Sequence, residues 1–366
     1  MFDERPMGRR DNLPTQADAR SRLSTRFERF ADECVSLNSS IYERLSRCIA
    51  QDNGLLELSS HALREPVPNV LFGAVHYLLL DGADHKLREY YPSIVASPRE
   101  DEHLFQAFAD FCDARREEIL ALINSRLVQT NEVNRSTILV PAFGVVGELT
   151  QWGPLALVEV GASAGLNLCW DRYRIEYSDG TVLGDEQSTV CLRCENRGAP
   201  FGPAMDQSIP IATRTGIDLH PIDLTNAAER LWLRALVWPD HRERATRLEA
   251  AIALVLDQPP QLTCGNVFDV LPHVLATSLP EATLCVYHSA VLYQFSPDDR
   301  ERFSNMLADL SKERPLWHIS AENEQGLRLF GYQDGRQANA WILGEFDAHG
   351  RWIDWQPIMD GEQKAN

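Results

Sequence analysis

Residues 155–167 read LALVEVGASAGLN, an apolar run that ends in a carboxylate and then sets a serine midway between two glycines. Two chemistries fit these letters. Gly161-Ala-Ser163-Ala-Gly165 has the G-x-S-x-G spacing of a nucleophile elbow, where a strained strand-to-helix turn exposes a serine hydroxyl to a histidine base. Read from Glu159, the same stretch is E-x-G-x-S-x-G, a bend in which missing Cβ atoms let the backbone turn tightly and approach a ligand. The amides of a following helix would point at the same place. The elbow requires a sheet laid down before the serine strand and an oxyanion-hole segment of the HGGG type, and neither reads out upstream of residue 155. His288, His318 and His349 do follow in an order that a triad would allow. A serine hydrolase with Ser163 as nucleophile therefore stands third. The cofactor bend, carried by Glu159, Gly161, Ser163, Gly165 and Asn167, stands first.

Other residues fit that bend. A carboxylate at the end of the next strand can accept both hydroxyl hydrogens of a ribose. Asp218 in GIDLHPID is the candidate, with Asp223 as runner-up. Asp179 remains an alternative, since the interval from the glycines is roughly three times the usual ~20 residues. The competing reading of Asp218 is a turn residue beside Pro221. Asn266, after QLTC, stands where a polar group can meet an adenine ring, or merely at a strand-end turn. His288 ends ATLCVY and Glu322 follows LWHIS. Open α/β sheets place active sites at the carboxyl ends of strands, so either group is a candidate base; a satisfied strand-end histidine is the plainer alternative. QTNEVNR packs hydrogen-bonding groups and opposite charges into residues 129–135. Asn131, Glu132 and Arg135 are expected to overhang the cleft and bind substrate, together with His76. Against that stand Thr130 as a helix cap, Glu132 with Arg135 as an i,i+3 pair, and His76 as a hydrogen-bonded core residue. Cys191-Leu-Arg-Cys194 is the one close cysteine pair and lacks the second pair or histidines of a zinc site, so no metal is expected.

Before residue 155 the chain reads as helix. Apolar residues fall at Phe27, Phe30, Cys34, Leu37, Ile41, Leu45 and Ile49 behind a Ser24 cap. Asn69 is expected to cap VLFGAVHYLLL, apolar nearly all round, and further helices are expected from about Glu100 to Leu127 and from Glu132 to Val146. After 155, strand-like runs alternate with helical ones, the pattern of a parallel sheet covered by helices. LALVEV, TRTGIDL, QLTCGN, ATLCVYHS and LWHISAE are the strands, with helices over 164–172 and 226–236 and in WPDHRERATRLEAAIALVLD. TVLGDEQSTVCLRCENRG reads as an inserted hairpin within residues 173–214, and ANAWILGEF with RWIDWQP as a closing antiparallel hairpin. The expected organisation is a tail over 1–22, a helical domain over 23–150, an α/β domain over 151–357 and a tail over 358–366.

Composition narrows the partners. There are 53 acids against 35 bases, a net charge of −18, which repels phosphate backbones and argues against nucleic acid. VLFGAVHYLLL is too short to span a membrane, and the polar N-terminus lacks a signal core. Eight scattered cysteines without a signal peptide suggest reduced thiols in cytoplasm. Oligomeric state is not legible.

The bend resembles motif I of S-adenosylmethionine-dependent methyltransferases, with Ser163 in place of the middle glycine. VEVGASAGLNLCWDRY, RLVQTNEVNRS, PNVLFGAVHYLLL, GIDLHPIDL and LWLRALVWPDHRERATRLEAAIA resemble the bacterial family catalogued as domain of unknown function 2332, over about residues 25 to 356. That resemblance implies a Rossmann-like, doubly wound methyltransferase-type sheet with an antiparallel C-terminal hairpin, preceded by an all-helical domain. The motif I resemblance implies S-adenosylmethionine as cofactor, and a small molecule or a basic protein is the expected methyl acceptor. The alternative from another class is a non-catalytic cofactor-binding or interaction protein on the same fold.

Overall fold

The computed structural model describes residues 16–63, 65–129, 131–202, 205 and 207–358. Thr130, expected as a cap, lies outside them, as do most of the two expected tails. The chain forms two compact units, Met1–Thr130 with Leu231–Ala245 and Asn131–Arg230 with Thr246–Asn366.

The first unit is helical. It contains α1 (Gln16–Ser36), α2 (Ser40–Ile49), α3 (Asn53–Ser60), α4 (Val67–Leu80), α5 (Leu104–Ala114) and α6 (Arg116–Ser125). The apolar stripe of α1 and α2 is buried as its spacing requires, at Leu23, Phe27, Phe30, Cys34, Ile41, Leu45 and Ile49. The helix expected to start at Ser24 starts at Gln16, and Asn38 breaks it with a left-handed φ of 57°. Likewise the expected Glu100–Leu127 helix is two, interrupted at Arg115. Pro66, not Asn69, caps α4. At the core, the Tyr42 ring stacks on Phe72 at 4.2 Å, and Phe30 and Phe108 pack around the same ring.

The second unit carries the sheet. Its first elements are a 3-10 turn at Val133–Arg135 and α7 (Ser136–Leu149), where a single helix from Glu132 was expected. Then come β1 (Leu155–Val160), a 3-10 segment at Leu166–Arg172, β2 (Arg174–Tyr177), β3 (Val182–Gly184), β4 (Cys191–Asn196) and β5 (Ile211–Asp218). The division between units falls inside α8 (Ala227–Leu236) and α9 (Arg242–Asp257). The chain continues through β6 (Gln261–Cys264), α10 (Val267–Ala276), β7 (Thr283–Ser289), α11 (Pro297–Leu310), β8 (Leu316–Glu322), β9 (Gly326–Gln333), β10 (Arg336–Phe346) and β11 (Trp352–Trp355).

The strands form one sheet in the order β3-β2-β4-β11-β10-β9-β8-β7-β1-β5-β6. From β6 through β5, β1 and β7 to β8 all pairings are parallel, and β9, β10 and β11 return antiparallel. β1 is buried along its whole length, as a central parallel strand must be. The chain order reverses beside it, since β5 lies on one flank and β7 on the other. Such a reversal opens a crevice at the carboxyl ends of the strands.

Three expectations are corrected. The segment after the glycine bend is a short 3-10 helix kinked at Cys169, so the bend is not backed by a full α-helix. The inserted hairpin is three strands: β2 pairs antiparallel with β3 but parallel with β4, and β4 joins the sheet through β11. GLRLFGYQ forms β9, unexpected from the sequence, and lies between β8 and β10.

Asn134 ties these parts together. Its Nδ2 donates to Arg193 O at 3.0 Å on β4 and to Gly350 O at 2.7 Å in the turn before β11. Both Nδ2 partners are carbonyls, so an acid cannot replace the amide. Asn134→Asp is expected to destabilise as much as Asn134→Ala, each by about 1–3 kcal/mol, measured by chemical denaturation.

Candidate functional site

The bend after β1 is left-handed at Gly161 (φ 73°), Ser163 (φ 50°) and Gly165 (φ 72°). Three contacts hold Ser163 and Ala164 there. Asn131 Nδ2 donates to Ser163 Oγ at 2.9 Å, and Asn131 Oδ1 accepts from Ala164 N at 3.2 Å. From the other flank, Ser163 N donates to Asp218 Oδ2 at 2.8 Å, at the end of β5. Strain of this kind persists only where neighbours over-determine it.

The expected reason for the glycines changes. A Cβ on Gly161 would collide with Val291 Cγ2, and one on Gly165 would stand 2.8 Å from Pro260 Cγ. Their missing side chains accommodate the protein's own packing. Ser163 Oγ is partnered by a carboxamide that takes no proton, so among the described residues the hydrolase geometry is not assembled.

Glu159 lies two residues before Gly161 and is 3% exposed, and its Oε2 has no hydrogen-bond partner. Burial pushes its pKa up to about 8; the Asp218 charge adds to this, while the Tyr287 hydroxyl, Arg135 and Asn167 pull it part of the way back. Tyr287 is its neighbour across the β1–β7 pairing. Asn167 Oδ1 accepts from Ser136 Oγ at 2.9 Å, which turns this residue toward the start of α7.

Side chains alternate across a strand, so Glu159 and Tyr287 face one side of the sheet and Val160 and His288 the other. His288 is 0% exposed. Its Nδ1 pairs with Glu322 Oε1 at 2.8 Å, its Nε2 is buried, and its ring packs against Phe303 of α11 and against His318. Glu322 Oε1 also accepts from Val291 N at 2.9 Å and Leu292 N at 3.0 Å. Although burial alone would raise it, the His288 contact and these amides hold the Glu322 pKa below the usual carboxylate value. The pair expected to be catalytic therefore fixes the chain after β7, where Ala290 is left-handed (φ 53°) and Val291 seats against Gly161.

The remaining candidates sort by their partners. Asp218 stands beside the bend as expected, with Oδ1 accepting from His220 N at 2.8 Å. Asp223 is engaged by Thr225 through its N–H and hydroxyl. Asp179 is engaged by Thr181 N and Asn196 Nδ2 between β2 and β3, with β4, β11, β10, β9, β8 and β7 between β2 and β1. Asn266 caps α10 by accepting from Phe268 N. His76, expected to meet substrate, is buried in the helical unit with Nδ1 on Ala235 O and Nε2 on Ser93 Oγ, and burial pushes its pKa down to about 4. Glu132 caps the 3-10 turn through Asn134 N, and Arg135 donates to Ala348 O at 2.9 Å and Ser289 O at 3.4 Å. Tyr287 and Val291 were not singled out, because only strand register and long-range packing bring them here; His349 was named only as a histidine that a triad could use.

Residues 24–355 match the family model described as "Uncharacterized protein conserved in bacteria (DUF2332)". The chain belongs to this family. The match takes in the glycine bend and every residue placed around it above. No curated protein and no solved structure matches the chain. Among the described residues no helix is long and apolar enough to cross a membrane, and no group of three or more His, Cys, Asp or Glu side chains is placed to hold a metal.

Two outcomes test this geometry. Gly161→Ala should destabilise by about 1–3 kcal/mol, and Val291→Ala in the same chain should recover part of the loss; strict additivity in the double-mutant cycle contradicts the contact. Glu322→Ala leaves His288 and two backbone amides without an acceptor and should cost about 3–5 kcal/mol, with Glu322→Gln milder, both read by thermal denaturation.

Proposed function

We propose that the protein is an S-adenosylmethionine-dependent methyltransferase whose cofactor lies at the carboxyl ends of β1, β5 and β7. The observation that carries this reading is Glu159. A buried carboxyl with a raised pKa and an unpaired oxygen, beside a chain reversal, suits a cationic ligand that restores its charge. The ammonium of the methionine part of the cofactor supplies one. Asp218, whose oxygens each keep a lone pair beyond their backbone bonds, is the acid for the ribose hydroxyls. The order in which β6, β5, β1, β7 and β8 are laid down, with strands then returning antiparallel, supports a Rossmann-like sheet of the methyltransferase type. The acceptor class is a small molecule or a protein with a basic surface, and the cytoplasmic setting belongs to the same proposal.

Calorimetric titration of the full chain with S-adenosylmethionine and S-adenosylhomocysteine tests it. Both should bind, and Glu159→Gln should weaken S-adenosylmethionine by roughly ten- to a hundredfold. No detectable binding at millimolar ligand contradicts the reading.

Stability against pH gives a second check. The folded pKa of Glu159, about 8, lies above the unfolded value, so the stability it contributes is complete below the unfolded pKa and is lost as pH rises through the folded one. Relative to Glu159→Gln, the wild-type chain should lose up to ~1.4 kcal/mol per pH unit between about pH 4.5 and 8. A constant difference over that window contradicts the raised pKa.

A further inference from the structure

We propose that His349 is the catalytic base of the site at the β1 bend and that Glu132 is the residue that positions it, an inference that rests on the methyl-transfer reading above. Of the histidines expected to do acid–base work, His288 is sealed under α11 on the opposite sheet face from Glu159. His349 is placed differently. It sits in the turn between β10 and β11, and that turn is docked onto the segment that clasps the glycine bend. Asn134 Nδ2 and Thr137 Oγ1 both donate to Gly350 O, at 2.7 and 2.9 Å, and Gly350 fits so closely against Asn134 O that a Cβ there would collide with it.

Two chains of contact locate the ring. Glu132 carries its carboxylate Oε2 to 3.6 Å from His349 Nδ1, and the preceding residue, Asn131, holds Ser163 and Ala164. On the other flank Ala348 O accepts from Arg135, whose guanidinium also reaches Ser289 O at the end of β7. The backbone beside His349 is thus tied through Arg135 to the end of β7, and its ring through Glu132 to the neighbour of the residue that clasps the β1 bend. The Glu132 side chain is 2% exposed and that of His349 26%, and Nδ1 is buried without a hydrogen bond. That leaves Nε2 as the ring nitrogen able to take up a proton. A gap of 3.6 Å is the loose geometry common to acid–base pairs before substrate is bound. A carboxylate facing Nδ1 places the ring hydrogen there and leaves the Nε2 lone pair free.

In the reaction, a lone pair on an acceptor nitrogen or oxygen attacks the methyl carbon of the sulfonium. The carbon–sulfur bond breaks with its electron pair going to sulfur, which becomes a neutral thioether. The acceptor's N–H or O–H proton passes to His349 Nε2. The substrate class is thus a protonated nucleophile, an amine nitrogen in its neutral form or a hydroxyl, that needs a base to lose its hydrogen.

The test uses the full chain with 15N-labelled histidine, the His349 signals being assigned by their loss in His349→Asn, and S-adenosylhomocysteine as probe. Recorded at a pH alkaline enough to deprotonate imidazoles, the expected result is the Nδ1–H tautomer of His349, with resonances that shift on titration with the probe. Glu132→Ala should return the ring to the commoner Nε2–H form, while Glu132→Gln, which keeps an acceptor oxygen, retains Nδ1–H. An Nε2–H ring in the wild-type chain overturns the proposal. So does an unmoved His349 signal when calorimetry shows the probe bound, and that result leaves the cofactor reading standing. If the probe does not bind, both readings fall. Should Glu132→Ala not fold, the wild-type tautomer and the titration decide alone.

Discussion

Burial of one carboxyl group organises the second unit. Glu159 cannot keep its charge cheaply in the middle of a parallel sheet, because removal from water disfavours the ionised form. The polar groups around it, Tyr287, Asn167 and Arg135, moderate that cost without removing it. A second carboxyl at the same edge of the sheet shows the contrast. Glu322 is also buried, yet His288 and the amides of Val291 and Leu292 hold its pKa low. Both groups are desolvated, so the supply of hydrogen-bond donors decides which one stays ionised. Glu322 Oε1 accepts from three donors, whereas Glu159 keeps an unused oxygen.

The pleat of the sheet divides the labour between its faces. On the Glu159 side, Tyr287 meets Phe143 of α7 edge-on, and Phe143 stacks on Trp170 at 4.7 Å. On the other side His288, His318 and Phe303 form a closed cluster under α11. The two faces meet at the bends after β1 and β7, where Val291 lies against Gly161. Left-handed backbone at Ser163 and Ala290 marks both bends, and each is held by side chains from elsewhere in the unit. Asn131 is the most economical of these clasps, since one carboxamide both donates to Ser163 and accepts from Ala164.

Much of this was readable in the letters, and the limits have physical causes. LALVEV, ATLCVYHS and LWHISAE stood out because strands buried on both faces are nearly continuous apolar runs. GLRLFGYQ did not, because Arg328 and Gly331 interrupt its pattern while antiparallel partners on both sides supply its hydrogen bonds. The breaks at Asn38 and Arg115 were hidden, since the buried apolar spacing continues across both. The parallel pairing of β2 with β4 is non-local and leaves no periodic trace. At the site, position along a strand was legible and facing was not. Tyr287 and His288 are adjacent letters, and the β1–β7 register alone decides which of them stands beside Glu159.

The most direct test of the account asks whether Glu159 gives up its proton to a cationic ligand. With a folded pKa of about 8, Glu159 is mostly protonated near neutral pH. Calorimetry of S-adenosylmethionine binding at pH 7, repeated in buffers of different ionisation enthalpy, counts the protons exchanged. The account predicts release of close to one proton from the wild-type chain and none from Glu159→Gln. Binding without proton release, or release that survives the substitution, would contradict it.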